Sequence, residues 1–279
     1  MSYAFRAGES IPAGIRRIVT NRIDRAIEHL TDESSPLDER VHGARKRFKE
    51  IRAVLRLIRD PLGESFSAEN LWYRDAGREL GAARDADAML EAIDKLLDAA
   101  DDKILKRALT RARRVLKTVP ADLEPRVARL LDSLPFAKLR IESWPDLDDD
   151  FATIGGGLRR TYRNGRRAMQ TAIAIPTMEH LHEWRKRVKD HWYHSQLLED
   201  VWPTMMKPHL EAMEQLSHAL GDDHDLAVLR ERTGSHVIHE AIDARRAELQ
   251  KEAESVGRRM YADSPKAVAS RFEAWWKEW

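Results

Sequence analysis

Apolar residues recur every three or four positions along most of this chain, in long stretches rich in Ala, Leu, Arg, Glu and Lys. That period predicts amphipathic α-helices, because an α-helix returns every third or fourth side chain to one face. No run alternates β-branched and polar residues as a half-buried strand would. The expected fold class is therefore all-α, with long helices. Breakers at Pro36, Pro61 with Gly63, Pro120, Pro135, Pro145, Pro176, Pro203 and Pro208 divide the chain. Ser10 before Ile11-Pro12 reads as a helix start, a hydroxyl cap followed by Pro in the first turn.

The pattern also repeats. VHGARKRFKEIR from Val41 and LHEWRKRVKDHW from Leu181 stand 140 residues apart, as do LGAARDADAML from Leu80 and LGDDHDLAVL from Leu220. A looser pair, IRRIVTN from Ile15 and LRRTYRN from Leu158, has an offset of 143. Three matches in one order predict two homologous units, 1–140 and 141–279, with cores over about 11–134 and 154–279. The segment between the cores, with Pro135, Pro145 and Asp148-Asp149-Asp150, reads as a linker. The breakers suit four helices per unit, so two four-helix bundles related by an internal repeat are expected.

Placed on a helix at about 100° per residue, His42, Arg45, Lys46, Lys49, Arg52, Arg56 and Arg59 fall within about 140° of arc. Phe48, Ile51, Val54, Leu55 and Ile58 fall opposite and should pack inward, while Arg47 and Glu50 lie outside the basic arc. A solvated face is the plain alternative. Solvated faces usually mix signs, however, because like charges at i,i+4 destabilise a helix. The second unit repeats the strip at His182, Arg185, Lys186 and Lys189. Lower down, Trp192, Gln196 and Glu199 replace Arg52, Arg56 and Arg59, so the first unit should bind an anion more strongly. Arg159, Arg163 and Arg166 share a face of the preceding helix and are candidates too. Arg suits phosphate through its planar fork and Lys through a mobile point charge.

Bulk charge says nothing of this. The chain has 279 residues, 48 Lys+Arg against 47 Asp+Glu, and a net charge of +1, so any argument for an anionic partner rests on where the charges sit. With no cysteine, disulfides and thiolate-bound zinc are excluded. No apolar run is long enough for a transmembrane helix and no secretory signal is visible, so a cytoplasmic protein without a membrane partner is expected.

In the second motif, Gly81, Arg84 and Asp85 align with Gly221, His224 and Asp225. The glycines suit close helix packing or a bend. Arg84 could join the anion site. Asp85 and Asp225 would orient neighbouring basic side chains, with an ordinary surface acid as the alternative. His-x-x-Arg-Lys-x-x-Lys-x-x-Arg followed some 40 residues later by Leu-Gly-x-x-Arg-Asp, the pair occurring twice, resembles the CHAD family, the conserved histidine α-helical domain. The resemblance spans essentially the whole chain. It implies two four-helix bundles packed with pseudo-twofold symmetry, whose basic helices line a groove or pore for long-chain inorganic polyphosphate, and an association with polyphosphate granules. Carried over, the family's basic positions fall on His42, Arg45, Lys46, Lys49 and Arg52, and on His182, Arg185, Lys186 and Lys189. Trp192 and His224 depart from the pattern where the first copy has Arg52 and Arg84.

Three rivals remain. A metal-dependent phosphohydrolase would use His224-Asp225 as an HD pair, with His191 and His194 as further ligands, yet these project away from His182. Nucleic acid would also fit a basic groove, but the first strip lacks interleaved aromatics for base stacking, and only Trp192 and Tyr193 keep the idea open. A scaffold role is compatible with any of these. No nucleophile stands beside a base and no metal cluster is visible, so a cofactor-free binding protein is expected rather than an enzyme. Trp275, Trp276 and Trp279 suit core packing or a partner surface.

Overall fold

The structure is a computed structural model that describes residues 3–81, 84–115 and 123–279, with residues 84–87 described by backbone alone. All regular structure among them is helical. Helix α1 (Ile11–Thr31) begins where Ser10 predicts: the Ser10 hydroxyl accepts from the Ala13 amide, and Pro12 occupies the first turn. Helix α2 (Leu37–Leu57) packs along α1. Its expected inner face is buried, with Phe48, Ile51, Val54, Leu55 and Ile58 each no more than 1% exposed.

The basic helix is shorter than its pattern suggests. It ends at Leu57, and a one-turn α3 (Arg59–Leu62) follows. The reason is Pro61, which has no amide hydrogen for the Leu57 carbonyl. Gly63 then turns the chain at φ 54°. Arg59 therefore leaves the strip and lies over the Phe66 ring, 5.2 Å from its centroid. Pro135 and Pro208 break nothing. They sit inside α7 (Leu123–Glu142) and α10 (Pro203–Arg232), each at the cost of one backbone hydrogen bond.

The first half continues through α4 (Ser65–Glu79), α5 (Arg84–Ala99) and α6 (Lys103–Val115) to α7. The second half comprises α8 (Ala152–Ala174), α9 (Met178–Leu197), α10, α11 (His236–Met260) and α12 (Pro265–Lys277). Helix α4 packs on α2 and α7 on α1; α10 packs on α9 and α12 on α8. With twelve helices described, seven in the first half and five in the second, the halves are more finely divided than four helices each.

The halves are closely joined. Helix α2 packs on both α8 and α9, α5 on α10, and α6 on α11. Gly157 permits the α2–α8 contact, since a Cβ there would stand 1.8 Å from the Leu57 carbonyl oxygen. The expected linker is largely structured: α7 runs through Pro135, and the acidic run caps helices. The Asp149 carboxylate accepts from the Ile11 amide at 2.8 Å, and Asp150 accepts from Ala152 at 2.7 Å. The C-terminal tryptophans pack internally: Trp276 meets Phe5 edge-on at 5.3 Å, and Trp275 meets Trp202 at 5.2 Å. No helix among the described residues is long and apolar enough to cross a membrane.

Candidate functional site: a cationic cleft between the halves

The basic faces of α2 and α9 meet across one cleft of about 800 Å³, closed on a third side by α4. From the predicted residues it gathers Arg45, Lys49, Arg52 and Arg56 of α2, and Arg185, Lys186 and Lys189 of α9. It adds three that the sequence reading missed: Arg74 and Arg78 of α4, and Arg187 of α9. A signal for the α4 pair exists, since Asn70, Arg74, Gly77, Arg78 and Gly81 follow helical spacing and all line the cleft. Among the described lining residues are ten basic side chains and one carboxylate, Asp190.

In the second motif, Gly81 packs closely against an arginine of the cleft. The Arg45 guanidinium donates to the Leu80 carbonyl at 3.2 Å, and a Cβ on Gly81 would lie 3.2 Å from it. Across the cleft, a Cβ on Gly221 would lie 3.7 Å from the Arg185 Nε. Arg52 donates to the Asn70 side chain at 3.1 Å. Arg56 holds Asp190 at 2.8 Å, joining α2 to α9, and Arg187 donates to the same carboxylate at 3.4 Å. Arg47 and Glu50, outside the arc as expected, pair with each other at 2.9 Å, and buried Arg22 holds Glu50 at 3.3 Å.

Crowding shows in the proton affinities. Lys49 is reached by solvent, yet the cleft walls strip much of its hydration, and Arg45, Arg185 and Arg52 repel its charge. Its ammonium is lowered to about 8, with Asp225 acting in the opposite sense. Arg52 is lowered to about 10 by burial and then by Arg56. Burial raises the Asp190 carboxyl against the pull of Arg56 and Arg187.

Other predicted residues lie elsewhere. His42 and Lys46 are exposed and do not line the cleft. His182 stacks on His224 with ring centroids 4.3 Å apart. Both are held toward the neutral form, His182 by burial and then Lys186, and His224, lowered to about 4, by burial and then Arg185. Arg159 and Arg163 are exposed outside the cleft, and Arg166 donates to the Asp263 carbonyl at 3.1 Å. The arginine of α8 that reaches the site is Arg160, which donates to the Arg56 carbonyl at 2.8 Å and holds Asp60 at 2.5 Å. Together with Arg59 and Asn164 it lines a smaller cavity of about 250 Å³. That cavity shares Arg56, Asn70, Arg187 and Asp190 with the cleft, so the cationic path continues past the Arg56–Asp190 pair. The side chains of Arg84 and Asp85 lie outside the described residues.

The further ligands named for the metal-site rival are engaged in packing. His191 and His194 are fully buried. His194 bonds to the Ala53 carbonyl at 2.8 Å, and His191 packs among Tyr162, His209 and Tyr261. Among the described residues no three His, Asp or Glu side chains are grouped to hold a metal ion.

Fold and site define an all-helical protein whose two halves enclose a strongly cationic cleft. The profile of the CHAD domain matches residues 17–234, and the chain belongs to that family. The crystal structure of the CHAD domain from the plant Ricinus communis has a similar fold, with a TM-score of 0.53 and 19% identity over 98% of this chain and 95% of that one. No curated protein matches the sequence.

Proposed function

We propose that this chain binds long-chain inorganic polyphosphate in the cleft between its halves, as a binding protein rather than an enzyme. One observation carries the reading: in a chain with 48 basic and 47 acidic residues, the described residues lining one cleft include ten basic side chains and one carboxylate. Gathering like charges is unfavourable unless an anion lies among them. Arginine forks on facing helices suit phosphate oxygens, and a path running on into a second cavity suits a linear ligand charged at every monomer. Single-stranded nucleic acid fits less well. The aromatic rings in the cleft wall, Phe48, Tyr73 and Tyr193, are 1%, 0% and 5% exposed and offer bases no platform.

The test is calorimetric titration with long-chain polyphosphate at two salt concentrations, with triphosphate and single-stranded RNA as competitors. Tight, salt-sensitive binding that RNA competes poorly is expected. Arg45→Ala combined with Lys49→Ala should weaken it by at least about 100-fold, two charged hydrogen bonds being lost. Absence of binding, or an unaffected double variant, removes the reading.

A further inference from the structure

Helix α6 lies outside the cleft and has a charge pattern of its own. Its thirteen residues, KILKRALTRARRV, include six basic and no acidic side chains. Leu109 anchors its inner side at 0% exposure, and the helix packs on α5 and α11. At about 100° per residue, Lys103, Arg107, Arg111 and Arg114 fall within about 80° of arc on the outer side. All four are exposed. Among the described residues none of them has an ion-pair partner, whereas Arg113, on a different side, holds Asp94 at 2.7 Å. Ile104 and Val115 flank the stripe at 64% and 79% exposure. Beside it Ala108, Ala112, Val115 and Ile238 line a cavity of about 530 Å³, which Arg111 and Arg232 line as well.

Two unsatisfied features thus share one face. Among the described residues a row of cations has no ion-pair partner, and large apolar side chains and an apolar-walled cavity face water. A bare polyanion such as polyphosphate or RNA would meet the cations and leave Ile104, Val115 and the cavity uncovered. A bilayer containing anionic lipid meets both needs, headgroups at the stripe and hydrocarbon at the apolar flank. We propose that the outer face of α6 docks the protein on an anionic lipid surface. This contact lies on the membrane without crossing it. It stands apart from the cleft and from what the cleft binds.

The experiment is co-sedimentation of the full chain with vesicles of phosphatidylcholine, alone or with about one third phosphatidylserine. Binding to the anionic vesicles and not to the neutral ones is expected. The variant with Lys103→Gln, Arg107→Gln, Arg111→Gln and Arg114→Gln should lose at least about 30-fold in affinity with its helical circular dichroism intact. Ile104→Ser with Val115→Ser keeps every charge and should weaken binding by about 3- to 10-fold, so the proposal stays testable if the first variant fails to fold. Failure of the wild-type chain to bind anionic vesicles overturns it. So does full binding by a folded form of either variant, or loss of vesicle binding in Arg45→Ala with Lys49→Ala instead.

Discussion

Lys49 sits where the cleft's conflicting demands converge. Its ammonium, lowered to about 8 by desolvation and by Arg45, Arg185 and Arg52, is only partly charged just above neutral pH. A phosphate between these cations favours the charged form and raises that value in the complex. If the cleft binds polyphosphate as proposed, the Lys49 contribution to affinity is fully present below about 8 and lost as pH rises through it toward the value in the complex. Titrations from pH 7 to about 9.5 should show affinity falling across this window, whereas Lys49→Arg, charged throughout, should give a flatter profile. An equal decline in both proteins would place the titrating group elsewhere. Asp190 plays the opposite part, holding Arg56 in place from the second half of the chain as the one carboxylate among the described lining residues.

Among the elements, α2 and α8 cross at close range beside the direct packing of α2 on α9. The carbonyl of Leu57 occupies the space a side chain at Gly157 would need. Neither partner is a flexible side-chain end, so Gly157→Ala must push two helix backbones apart. A loss of about 3 kcal/mol or more is expected, read as a lowered chemical-denaturation midpoint. Its neighbour provides the control. A Cβ on Gly156 meets nothing nearer than the Asp60 carboxylate at 3.9 Å. There Gly156→Ala should stabilise by about 0.5–1 kcal/mol, since alanine loses less backbone freedom in a helix. Equal effects at the two positions would mean that the crossing is not tightly packed.

Over the whole molecule, three histidines of the second half, His191, His194 and His209, are withdrawn from water. Burial lowers His191 well below its ordinary range, followed by the effects of His209 and His194. Burial lowers His194 to about 4 despite its bond to Ala53, and burial then Arg271 lower His209 to about 4. Each is depressed relative to an unfolded value of about 6.5, so the unfolded chain binds more protons at mildly acid pH. Their contribution is complete above about 6.5 and is lost as pH falls toward 4, at up to about 1.4 kcal/mol per pH unit for each histidine. Urea midpoints should therefore drop between pH 6.5 and 4.5. His209→Gln should make that drop shallower, and an unchanged slope would assign the acid sensitivity to other groups.

Much of this protein was legible because the deciding physics is local. Helical periodicity alone specifies the inner face of α2 and the basic face opposite it. The Ser10 cap follows from a hydroxyl meeting the free amides of a first turn, and the doubled motif was enough to indicate the family. What the sequence did not determine is which cations converge. Arg159, Arg163 and Arg166 share a helix face, yet it is Arg160 that reaches the smaller cavity adjoining the cleft, where it donates to the Arg56 carbonyl. Arg74 and Arg78 become site residues only through the packing of α4 on α2. Gly81 of the second motif makes room for the Arg45 guanidinium 36 positions earlier in the chain, a contact no local pattern encodes. Periodicity assigns each side chain a direction on its own helix; the axial rotation and spacing of neighbouring helices, set by many small packing contacts across the chain, decide which of those directions meet.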